Sequence, residues 1–149
     1  MTSTTNVSRG PIGQAFGLLF IVIGVLSYAI APRAPLGVFA GLASNSPPEV
    51  TAALLSAHNF AHDALFIVSA AVGVVAIWVL SAVYGKRGTL IGASFLVLSI
   101  LVLLIEPAML RGVLGASYGA IHTAWHIATG VLQVLVGAAA FAVLRAPKT

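Results

Sequence analysis

Apolar positions fall into four long blocks, separated by short breaks rich in proline, glycine or charge. The first, Ile12 to Ala31, carries no charge and stops at Pro32 and Pro35. The second runs from Ala53 to Val83 and keeps its polar groups in its first half. The third spans Leu90 to Ile105 and extends to Glu106, and the fourth runs from Ala120 to Leu144. A helix needs about 20 mostly apolar residues to cross the hydrocarbon core, and each block is of that order. None shows the strict polar–apolar alternation of a membrane β-barrel strand. The pattern predicts an all-α, four-transmembrane-helix bundle, with residues 1–149 forming one integral membrane domain.

Composition agrees. Hydrophobic residues make up 60% of the 149, charged residues 7%, and the mean hydropathy is +1.09. Soluble domains carry about 25% charged residues, so a water-soluble globule and a disordered chain are both excluded. With no cysteine, disulfide scaffolds, thiolate metal sites and cysteine nucleophiles are excluded too. The pI of 10.2 reflects only three acidic residues, and the seven basic ones are scattered without a patch for nucleic acid. The partners implied are the lipid bilayer and a homo-oligomer or membrane complex.

Arg9 ahead of the first block and Ala29-Ile30-Ala31 at its end imitate a signal peptide, but the apolar run exceeds the usual signal core. An uncleaved span is the expectation. Placing the N-terminus inside puts Arg9, Lys86, Arg87, Arg145 and Lys148 in the cytoplasm and leaves Arg33 and Arg111 outside. This bias predicts two cytoplasmic termini and an outward loop from Pro32 to about Val50, with turn chemistry at Ser44-Asn45-Ser46-Pro47-Pro48.

The blocks also resemble one another in pairs. The second and fourth match at an offset of 64, pairing His58 with His122, His62 with His126 and Gly73 with Gly137. The first and third match at an offset of 75, pairing Gly13 with Gly88, Gly17 with Gly92 and Phe20 with Phe95. This predicts two pseudo-repeated helical hairpins of the same membrane orientation, related by an axis along the membrane normal. Glycines four apart suit close helix contacts.

Titratable residues inside a span are costly and by default mark function. His58, His62, His122, His126, Asp63 and Glu106 gather near one end of the predicted bundle, in the outer leaflet by the charge bias. Residues four apart share a helix face, so each histidine pair points one way. Two such pairs facing each other make a metal cage, and neutral imidazole suits zinc or copper. Asn59, Asp63 and Glu106 are candidate acceptors behind the ligands. By helical angle Asp63 stands about 100° from His62 and is expected to face another neighbour. A single b-type haem held by one histidine from each helix is the competing cofactor reading. A third is a structural or assembly subunit without cofactor, its histidines satisfied by hydrogen bonds. Glu106 is expected to pair with Arg111 at the interface, and Trp125, Trp78 and Tyr84 to act as interfacial anchors.

No phosphate loop, Gly-x-Ser-x-Gly elbow or His-Glu-x-x-His motif is present, and no enzymatic activity is read from the chain. The segment Ser56-Ala57-His58-Asn59-Phe60-Ala61-His62 resembles the His-Asn-x-x-His second helix of a bacterial four-helix membrane family classed as a domain of unknown function. Gly37-Val38-Phe39 and Trp125-His126-Ile127-Ala128-Thr129-Gly130-Val131 are similar to further parts of that family. Trp125 stands one residue closer to His126 than in the family pattern, and His122 has no counterpart there. The resemblance implies a multi-pass protein of the bacterial plasma membrane and supplies no activity.

Overall fold

The computed structural model describes residues 10–30, 47–105 and 118–144; the side chains of 51, 52, 54, 55, 58, 59, 103–105 and 118–120 are not described. The described residues form four helices and no strand: α1 (Gly10–Ala29), α2 (Pro48–Tyr84), α3 (Lys86–Ile105) and α4 (Tyr118–Val143). Gly10–Ala29, Phe60–Tyr84 and Ile121–Val143 are each long and apolar enough to cross a membrane. The boundaries lie within a few residues of the hydropathy blocks, except at two places. The second helix begins at Pro48, because a proline in the first turn lacks only an N–H that would have no partner anyway. The third begins at Lys86, because Gly85 alone joins α2 to α3, with φ 61° and ψ −140°, a conformation that glycine adopts without steric cost.

Each helix buries one narrow seam at alternating spacings of three and four. On α1 the seam is Gly13, Gly17, Phe20, Gly24 and Ser27; on α3 it is Gly88, Gly92, Phe95, Ser99 and Val102. On α2 it runs His62, Phe66, Ser69, Gly73, Ala76, Leu80. Such a seam is the pattern of helices packed at small crossing angles. Outside it the surface is apolar and open: Trp78 and Phe60 are each 77% exposed and Leu90 70%, which suits contact with lipid tails.

The closest pairings are α1 against α4 and α2 against α3, both antiparallel, rather than α1 with α2 and α3 with α4 inside the two predicted hairpins. Glycine makes them close. A Cβ on Gly17 would lie 2.7 Å from the Phe141 nitrogen, and one on Gly92 would lie 2.8 Å from the Ile77 nitrogen. These contacts correspond position for position, since Phe141 stands 64 residues after Ile77 and Gly92 stands 75 after Gly17. Gly137 against Ile21 and Gly73 against Leu96 match in the same way. At the centre of the half opposite His62, Phe20 and Phe95 stack with ring centroids 3.8 Å apart and planes 9° from parallel. Ala76, Leu80, Ala140 and Leu144 complete that apolar half.

At its edge Tyr84 lies partly buried rather than as a free interfacial anchor. Its hydroxyl accepts a 2.8 Å hydrogen bond from the Gly13 N–H, one of the donors that the first turn of α1 leaves unpaired.

Gly17→Ala and Gly92→Ala should each lower stability by about 1–3 kcal/mol, since the added methyl meets backbone rather than a movable side chain. Thermal denaturation in detergent followed by circular dichroism checks this, and equal losses are expected from the equivalent contacts.

Candidate functional site

Helices α2 and α4 run parallel, so His62 and His126 meet near the end where both spans begin. His62 Nε2 lies 3.1 Å from His126 Nε2, which lies 2.9 Å from His122 Nε2. The ligand-capable nitrogens of the three residues all fall within 4.8 Å of one another, and the rings are 2%, 6% and 0% exposed for His62, His122 and His126. Phe66 packs its ring against His62 at 4.5 Å and His126 at 5.3 Å, walling the cluster on the bundle side.

The second nitrogen of His62 sets its chemistry. Nδ1 stands 3.2 Å from Asp63 Oδ1, although Asp63 is largely exposed. This corrects the angular argument that turned Asp63 toward a different neighbour: the carboxylate reaches back along the helix surface to the ring beside it. As a carboxylate, Asp63 accepts only, so Nδ1 carries the proton and the Nε2 lone pair faces the cluster. Three converging imidazole nitrogens repel one another unless a proton or a cation lies between them. The arrangement therefore attracts positive charge in a place where water is scarce.

Of the other predicted site residues, His58 and Asn59 lie on α2 but their side chains are outside the described residues, as is Glu106 together with Arg111. Trp125 is not an exposed anchor: it is partly buried, and its indole Nε1 is enclosed without a hydrogen-bond partner among the described residues. Trp78, by contrast, is largely exposed.

Below the histidines lies a second polar cluster that hydropathy alone does not single out. Gln133 Nε2 donates to Ser69 Oγ at 3.4 Å and Ser99 Oγ at 3.3 Å, while its Oε1 lies 3.0 Å from the Ser27 hydroxyl. Ser69 and Ser99 bond to each other, so one amide ties together all four helices. Its signal in the sequence is spacing: Ser69 and Gln133 each follow a site histidine by seven residues, which is two helical turns.

No family model, curated protein or solved structure matches the chain.

A double-mutant cycle of His62→Leu and His126→Leu should give a favourable coupling of about 0.6–1.7 kcal/mol, the range of interhelical hydrogen bonds in membranes. Each single replacement costs the remaining histidine one buried hydrogen-bond partner, so the double variant should be more stable than the sum of the singles implies. Equilibrium unfolding in mixed micelles measures both quantities.

Proposed function

We propose that the chain is a multi-pass, four-span membrane protein whose histidine centre binds one divalent transition metal ion, zinc or copper. The observation that carries this reading is the convergence of three buried imidazole nitrogens, from two helices, within 4.8 Å. Bonds of about 2.0–2.1 Å to a tetrahedral ion separate ligand atoms by roughly 3.3 Å, so the 2.9 and 3.1 Å contacts need open by a few tenths while the His62 and His122 nitrogens, up to 4.8 Å apart, draw together. Such an ion would neutralise the opposed lone pairs, with His62, His122 and His126 as ligands. Asp63 would hold His62 in the ligating tautomer. His58 is proposed as a fourth ligand, because it precedes His62 by one turn just as His122 precedes His126.

The haem reading is less well served. His62 and His126 touch nitrogen to nitrogen, with His122 and Phe66 against their rings. A porphyrin between two axial imidazoles would need that contact opened and both packing rings displaced. The interhelical hydrogen bonds do favour a purely structural subunit as the second reading, and metal analysis separates the two.

The uncharged run of α3 from Gly88 to Ile105 supports a fourth span. The matching contacts at offsets of 64 and 75 support two repeated halves about an axis through the Phe20–Phe95 stack and the His62–His126 contact. The positive-charge bias supports cytoplasmic termini and a histidine centre near the outer face of a bacterial plasma membrane. The His-Asn-x-x-His resemblance is consistent with that setting.

Purified protein from metal-replete cells should retain about one zinc or copper per chain, and His126→Ala should lose it. Asp63→Ala should weaken metal affinity by about 10–100-fold while leaving the ligands in place. Elemental analysis and competition against a chelator of known affinity check both; metal-free wild-type protein would overturn the reading. For topology, a cysteine substituted at Thr4 should resist a membrane-impermeant maleimide in intact cells and react after permeabilisation.

A further inference from the structure

The hydroxyl–amide cluster has a fixed relation to the histidine centre. Gln133 lies seven residues after His126 on α4, and Ser69 lies seven after His62 on α2, so both helices carry the two clusters on one seam about 10 Å apart. Gln133 is fully buried, and so are Ser27, Ser69 and Ser99. Between the two layers, Thr129 spends its hydroxyl on the Trp125 and His126 backbone carbonyls of its own helix, at 2.8 and 3.3 Å, and Phe66 is apolar. No hydrogen bond among the described residues connects the layers through these two. What they share is the rotational phase of α2 and α4. Glycine contacts with α1 set how closely α4 approaches and limit how far it can turn. A single amide bonded to three other helices narrows the allowed phase further, since rotating α4 strands a buried donor and an acceptor together.

We infer that Gln133, through Ser27, Ser69 and Ser99, is a positioning residue for the histidine centre: it locks the phase at which α4 presents His126 and His122 to His62. The inference rests on the metal-binding reading for its consequence, but not for its geometry. A loosening of about 1 Å is enough to spoil a ligand set. A merely structural role would instead lower stability and leave the site unchanged in the molecules that remain folded.

Two measurements on the full-length protein in detergent, compared across wild type, Gln133→Leu and Phe20→Leu, test this. Phe20→Leu disturbs the apolar half, far from the histidines, and controls for general destabilisation. In the first, cobalt(II) alone is titrated while its ligand-field bands are followed. Gln133→Leu should bind at least about tenfold more weakly, with altered bands, as expected for a lost positioning contact. Phe20→Leu should match wild type. The second needs no metal. The chain lacks cysteine, so His62→Cys with His126→Cys gives a unique thiol pair for a short bis-alkylating reagent. Adding Gln133→Leu should cut the cross-linked fraction several-fold, and adding Phe20→Leu should not. Equal cross-linking with and without Gln133→Leu, or an equal loss with Phe20→Leu, would overturn the inference. Cobalt-silent wild-type protein that shows the expected cross-linking difference would remove the metal reading and leave the positioning role standing. Should Gln133→Leu fail to fold, Ser27→Ala combined with Ser99→Ala removes two of the bonds at almost no change of volume. It should shift cross-linking in the same direction, and no shift there counts against the inference.

Discussion

Lipid tails are as apolar as leucine, and this constraint orders the whole molecule. Burying a valine or phenylalanine against a neighbouring helix gains only packing contact over leaving it in the bilayer, so the interior favours residues that bring backbones together, bond across helices or stack closely as Phe20 and Phe95 do. The seams accordingly hold Gly17, Gly92 and Gly137, and then His62, His126, Ser69, Ser99 and Gln133, while Trp78, Phe60 and Leu90 face outward. Within that inside-out plan, polar groups sit together in one half and the packed phenylalanines in the other.

The histidine centre follows from the same plan. Polar side chains cannot be left alone in hydrocarbon, so those on facing helices find each other, and the parallel course of α2 and α4 brings residues 64 apart into contact. Two hydrogen bonds between these helices join equivalent positions of the two sequence halves: His62 with His126, and Ser69 with Gln133. The stack of Phe20 on Phe95 does the same for α1 and α3. His122 departs from this pairing, since it bonds within its own helix and gives the centre its third nitrogen.

Much of this was legible in the chain. The spans are visible because twenty-odd apolar residues in a row have few other uses, and the boundaries at Pro48 and Lys86 moved only where proline and glycine chemistry overrode hydropathy. The convergence of His62, His122 and His126 was legible from four-residue spacing and equal depth. Asp63 is an acceptor behind His62 as its residue type suggests, but helical angle alone turns it elsewhere, because angle describes where a Cβ points and not how far a short carboxylate can bend back to the adjacent ring. Which helices pack most closely was hidden, since it depends on glycines meeting glycines across α1 and α4 rather than on chain order. Gln133 and the serines do not stand out in the sequence because a lone amide or hydroxyl barely alters hydropathy, although its cost without a partner is large.

The stacked phenylalanines bear on traffic. Beneath the amide cluster the helix axes are drawn together by glycine, and two aromatic plates fill the centre with Leu80 and Leu144 behind them. The polar layers thus end at the aromatic plates: among the described residues no buried polar side chain continues from the amide cluster through the apolar half to the far end of the bundle.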